Sequence, residues 1–308
     1  MNPFDETPPG EQDPNSENRS PQQEITPAPI TAPEGVPGLA TEQVAPALPA
    51  KPAYPVDLAI SWSWLHFIFF IIFGFASLLI VQSTMMVHYA PRKHLPPAEL
   101  EKYLISNPKF AIGSMLIWYA ALFFFLYITL SVLRGHSFWE SLGWRKIKPR
   151  EGQAARKPFT YFLWGCGLSL FVAIVSSQLK TPDNLPMEEL FKSRETALLF
   201  MAMAVLVAPL VEETLFRGYL YPLFARSFGI LPGILVTGAL FGLMHGAQLG
   251  WTWTLVSTLV FVGVVFTAVR ARTGSVFASY LMHLGYNSLI SVFALLGTHG
   301  FTRVPPHH

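Results

Sequence analysis

Glu212, Glu213 and Arg217 interrupt a segment, from about Ala197 to Phe224, whose upstream part to Val211 carries no charge. A single charged side chain at mid-bilayer costs roughly 2.5–3.5 kcal/mol on insertion scales. Three on one helix therefore need a polar interior to face. Glu213 and Arg217 are four residues apart, share a helical face and can pair. Glu212 lies about 100° round the helix from Glu213. One carboxylate is anchored and its neighbour is left to face a cavity. Downstream, Phe241 and His245 are four apart, as are His283 and Asn287, so each pair shares a face. Polar groups in a bilayer must find partners, and one another are the nearest to hand.

Hydrolysis is the chemistry such a cluster suits. A carboxylate withdrawn from bulk water serves as a general base near neutral pH. A histidine beside it can orient and polarise the attacking water. A second histidine and an asparagine amide can donate to a developing oxyanion, often worth about 3–4 kcal/mol per donor. No serine or cysteine nucleophile is needed. The same Glu212, His245 and His283 are candidate ligands for a divalent metal such as zinc. An HExxH motif is missing, and spacing alone does not choose between metal-activated and glutamate-activated water. The plainer reading of either histidine is a side chain bonded to a neighbouring backbone carbonyl.

The elements that must position these groups are membrane helices. The 308 residues are 51% hydrophobic and only 13% charged, with a mean hydropathy of +0.39, the profile of a polytopic membrane protein. No basic face and no binding motif supports a nucleic-acid partner. The single cysteine, Cys166, excludes intramolecular disulfides and cysteine-based zinc sites.

Residues 1–57 hold 13 of the 26 prolines, with nine acidic residues against two basic ones. Such a stretch buries too little apolar surface to offset its ordering entropy and reads as a disordered tail. It lacks the basic and apolar regions of a signal peptide. Membrane helices with a basic loop occupy 58–195, a catalytic core 196–298, and a short tail 299–308. Seven spans are expected, starting near Ser61, Phe110, Phe159, Thr196, Ile230, Trp251 and Ser275, giving an all-α polytopic bundle. Trp62 and Trp64 read as interfacial anchors. The segment Phe138 to Trp144 reads as amphipathic and lying on the membrane surface. Pro209 should kink the fourth span. The basic loop from Arg134 to Pro158 places the N-terminus in the cytoplasm. For the polar groups to meet, the fourth helix must run beyond Leu220 and the fifth must start before Ile230.

The ordered set Glu212–Glu213–x–x–x–Arg217, Phe241–x–x–x–His245 and His283–x–x–x–Asn287 resembles the CPBP (Abi) family of intramembrane proteases. That family includes type II CAAX prenyl endopeptidases and bacteriocin-processing or self-immunity proteins. Arg272–Thr273–Gly274–Ser275 resembles the family's lead-in to the third motif. The resemblance spans about Thr196 to Leu296. It implies that Glu212 is the base that activates water, with His245 assisting. Glu213 and Arg217 would brace the site, Phe241 would set the His245 side chain, and His283 with Asn287 would form the oxyanion site. It further implies a peptide or prenylated protein substrate taken from the lipid bilayer, with no cofactor certain and zinc an option. Two other classes fit less well. A scaffold or immunity protein of the same fold has little physical reason to keep an unpaired Glu212. An ion-coupled transporter also uses intramembrane Glu and His, but no internal repeat relates the two halves.

Overall fold

The computed structural model describes residues 56–89, 96, 99–100, 107–147, 156–178 and 193–301. The expected tail, apart from its last two residues, lies outside the described residues. So do 179–192 between the third and fourth spans, 148–155 in the basic loop, and 302–308.

Among the described residues the protein is all-α. A 3-10 turn at Val56–Leu58 precedes α1 (Trp64–Tyr89). Helix α2 (Pro108–Leu126) continues through a π-helical stretch, Tyr127–Val132, and α3 (Phe138–Ser141) is a single turn. Then come α4 (Pro158–Ser176) and α5, a composite helix over Arg194–Phe228. The last three are α6 (Ile230–Met244), α7 (Trp253–Thr273) and α8 (Val276–Gly297). Six of these helices are long and apolar enough to cross a membrane, and α6 is a shorter apolar helix. The chain is an integral multi-pass membrane protein.

Local sequence sets the helix ends. Pro158 opens α4 where a missing N–H costs nothing. Ser193 caps α5, its Oγ accepting from the Thr196 N–H at 3.1 Å. Gly229, at φ 96° and ψ 164°, turns α5 into α6 in a conformation open only to glycine. That turn makes the fifth helix begin at Ile230, not before it as expected. The fourth does run past Leu220, to Phe228. The two arms still meet: Glu212 is 16 residues before Phe228 and His245 is 15 after Ile230, about 24 and 22 Å at 1.5 Å per residue.

Glycines let the helices behind the site approach closely. A Cβ on Gly238 would lie 2.6 Å from the Val264 nitrogen, and one on Gly242 2.5 Å from that of Val260. Those contacts join α6 to α7. Gly165 and Gly285 join α4 to α8 in the same way, each facing a backbone carbonyl of the other helix. Small residues at helix contacts are how membrane bundles pack without a hydrophobic driving force between helices. Apolar side chains such as Leu65, Phe69, Ile72, Phe75 and Leu79 on α1 stay exposed, as a lipid-facing surface should.

Two local expectations change. Trp62 is no interfacial anchor: it is buried, stacks on Tyr219 at 5.3 Å and donates from Nε1 to the Tyr219 carbonyl at 3.2 Å. Trp64 is partly exposed and donates to Ser227 Oγ. The segment from Phe138 to Trp144 does not simply lie on a surface either. Leu142 is wholly buried against the cluster holding Trp62, Tyr219 and Leu223, and Trp144 Nε1 donates to Thr214 Oγ1 at 3.1 Å. The Val276 N–H bonds the Gly143 carbonyl. One turn of this segment is an internal strap.

Candidate active site

Helix α5 carries the site and departs from α-geometry twice. It is α-helical over Arg194–Ala202, π-helical over Met203–Val207, α-helical over Ala208–Glu212 and π-helical over Glu213–Leu220. Such wide turns gather at functional positions. The first explains Pro209, since the Ala208 N–H already reaches back five residues to the Met203 carbonyl. The next bond in that pattern would join residue 209 to Ala204, but proline has no N–H to give. Asn287 Nδ2 takes its place, donating to the Ala204 carbonyl at 2.7 Å. Proline and asparagine, 78 positions apart in the sequence, complete one another.

Glu213 and Arg217 lie at the centre, both with no exposed surface. Glu213 Oε1 accepts from Arg217 Nη1 and from His283 Nδ1, each at 3.0 Å. Arg217 spends its other donors on α7: Nη2 on the Gly263 carbonyl at 2.8 Å, and Nε on Thr267 Oγ1 at 3.2 Å. Its guanidinium lies 4.5 Å from the Phe241 ring centroid, a cation–π contact. A buried charge is tolerated when paired and hydrogen-bonded, and Arg217 is both.

Glu212 points to the other side and retains 17% side-chain exposure, with His245 at 22%. The His245 Nε2 is 3.9 Å from Glu212 Oε1, and the His283 Nε2 is 3.8 Å from Oε2. Neither distance is a direct hydrogen bond. Both rings are oriented from behind. His245 Nδ1 bonds the Phe241 carbonyl at 2.7 Å, and His283 Nδ1 bonds Glu213. A carbonyl has no proton to offer, so His245 Nδ1 is the donor and the neutral ring turns its Nε2 lone pair toward Glu212. Phe241 packs against both imidazoles, with centroids 4.9 and 5.8 Å away, and Phe266 covers His283 at 4.7 Å.

Glu212, Glu213, Arg217, Phe241, His245 and His283 are thus brought together. Asn287 is half-buried on the same face of α8 as His283, but its amide nitrogen is engaged by Ala204. Imidazole and carboxylate are metal-ligand types, and among the described residues no group of three or more His, Cys, Asp or Glu side chains is drawn together as around a bound ion.

Several partners were missed from sequence. Gly263 contributes only a carbonyl, which no side-chain pattern marks. Thr267 could have been found as a hydroxyl one turn from it. His66 was also passed over. It is buried on α1 and bridges the Tyr219 hydroxyl at 2.7 Å to Thr129 Oγ1 at 2.9 Å. A histidine inside an apolar span was its signal.

No curated protein and no solved structure matches the chain. Residues 194–289, which include α5 to most of α8 and all three motifs, match the family described as type II CAAX prenyl endopeptidase Rce1-like, the group of membrane proteases that those motifs resemble.

Proposed function

We propose that the protein is an intramembrane endopeptidase in which Glu212 activates water for attack on a peptide bond at or within the bilayer. The observation that carries this reading is the placing of two imidazole Nε2 atoms at 3.8 and 3.9 Å from the two oxygens of one slightly exposed carboxylate. That separation is spanned by a single water oxygen. Such a water directs one proton to Glu212 and the other to a histidine Nε2, leaving an oxygen lone pair for the scissile carbonyl. The oxygen–carbon bond forms as Glu212 takes the proton. Collapse breaks the carbon–nitrogen bond while Glu212 returns that proton to the amine. His245 orients the water. Glu213, Arg217 and Phe241 hold the two rings, and no step requires a metal.

The substrate class is a CAAX-type prenylated protein or another membrane-associated peptide. The basic residues Arg145, Arg226, Arg270 and Arg272 belong to the end of the bundle where α1 begins, which supports a cytoplasmic N-terminus. Arg226 there bonds the Ile60 carbonyl, and Arg270 bonds Asp57.

The test is cleavage of a panel of prenylated and plain peptides by the purified chain and by Glu212→Gln, with and without a strong chelator. Cleavage lost in the variant but indifferent to chelator is the expected result. Loss on chelation, restored by zinc, would replace the glutamate mechanism with a metal one. Full cleavage by Glu212→Gln would end the reading.

A further inference from the structure

We propose that Trp144, in the strap between α2 and α4, is a positioning residue for the reaction, setting Glu212 against His283 through its bond to Thr214. The proposal rests on the reading of Glu212 as the base that activates water. It brings into the site a segment outside the matched residues 194–289.

The bond lies at the step where α5 changes geometry. The helix is α-helical up to Glu212 and π-helical from Glu213, so the two carboxylates stand on either side of the change. Thr214, next in the chain, is wholly buried. Its hydroxyl donates to the Leu210 carbonyl at 2.6 Å, a back-bond of the kind that bends a helix. With that proton spent, the hydroxyl oxygen can only accept, and an indole N–H can only donate. Trp144 Nε1 supplies the bond at 3.1 Å. One indole thus holds the step between Glu212 and Glu213.

The same residue and its neighbours hold α8. The Trp144 ring packs on Tyr280 at 5.4 Å, one turn before His283. The Gly143 carbonyl accepts from the Val276 N–H at 2.9 Å, where α8 begins, and Ser275 Oγ donates to the Arg145 carbonyl. On the α5 side the strap lies against Gly218, where a Cβ would be 2.7 Å from the Leu142 carbonyl. The strap therefore ties the backbone that carries both glutamates to the helix that carries His283. What it spaces is the 3.8 Å between His283 Nε2 and Glu212 Oε2, the gap assigned to the attacking water. A misplacement of about 1 Å can cost a factor of about 100 in rate, so a bond that fixes this gap acts on kcat.

The experiment uses the purified full chain in detergent and the panel peptide that wild type cleaves fastest, below the unfolding transition of each variant. Trp144→Phe keeps an aromatic ring and removes the donor; Thr214→Val keeps the volume and removes the acceptor. The expected result is a fall in kcat of about 10-fold in each, with KM held within about twofold. The double variant should be no slower than the slower single one, because both changes break one bond. Thr214→Ser, which keeps the hydroxyl, should recover most of the loss. A kcat within about threefold of wild type in either single variant, alongside abolished cleavage by Glu212→Gln, overturns the proposal and spares the reading beneath it. Additive losses in the double variant, a loss confined to KM, or a Thr214→Ser as slow as Thr214→Val also overturn it. Should Trp144→Phe not fold, Thr214→Val and Thr214→Ser decide alone. Full activity in Glu212→Gln overturns both.

Discussion

Glu212 and Glu213 are adjacent in the chain yet occupy opposite halves of the site. The Glu213 half is fully buried and paired through Oε1. Its carboxylate meets Arg217 and His283, and Arg217 goes on to Gly263 and Thr267 across the helix boundary. The Glu212 half is partly open, with both imidazoles beyond direct bonding distance. One half holds α5, α7 and α8 in a fixed relation; the other keeps a carboxylate uncommitted. The difference teaches how a bundle can keep a reactive charge in a membrane: the neighbouring carboxylate is paired with Arg217 and His283, and that pairing fixes the geometry around the free one.

The comparison breaks most sharply at Glu212. Glu212→Gln is nearly isosteric and removes only the base, so cleavage should fall about 10³-fold while the melting temperature stays that of wild type. Activity and stability measured on one preparation would show whether the open half is as separable as its geometry implies. Glu213→Gln acts on the other half. It leaves Arg217 buried without its counter-charge, a change that typically destabilises by about 3–5 kcal/mol, and it frees His283 to rotate. Thermal unfolding in detergent should register the loss, whatever the substrate. An unshifted melting temperature would mean that Arg217 does not depend on Glu213.

Smaller changes refine the contrast. Gly238→Ala puts a methyl 2.6 Å from the Val264 backbone nitrogen, and overpacking of this kind costs about 1–3 kcal/mol. Because α6 carries His245, peptide cleavage should decline with it, though less than in Glu212→Gln. Thr267→Val deletes one of the Arg217 contacts and should cost about 1.5–3 kcal/mol, the usual range for hydrogen bonds to a charged group. KM and kcat measured on this variant at a temperature below its unfolding transition should match wild type. A specific fall in kcat would show that the braced half contributes to chemistry beyond position.

Much of the site was legible because its spacing is local. Glu213 and Arg217, Phe241 and His245, and His283 and Asn287 are each one helical turn apart, so the period alone puts each pair on a face. The pairing of Glu213 with Arg217, and the freedom of Glu212, follow from the same arithmetic. The lipid-facing and bundle-facing residues were harder to separate. Trp62 and Trp64 look alike as residues at the start of a span, but only Trp62 meets a carbonyl deep in the bundle. The strap at Leu142 was misread because a short aromatic stretch between basic residues has the composition of a surface segment. Its burial is decided by Gly218 of α5, where a Cβ would lie 2.7 Å from the Leu142 carbonyl.

By itself, the sequence determined that this protein is a multi-pass helical membrane protein and which side chains could do chemistry. Hydrophobic length and helical period are properties of neighbouring residues, and they survive without knowledge of the fold. Tertiary structure alone decided what those side chains do to one another. The π-helical stretches of α5, the Asn287 amide completing the turn left open by Pro209, and the Gly263 carbonyl that receives Arg217 all depend on backbone groups of distant segments. Every residue carries a backbone carbonyl, so no residue type marks the few that become partners; only the packing of one helix on another selects them.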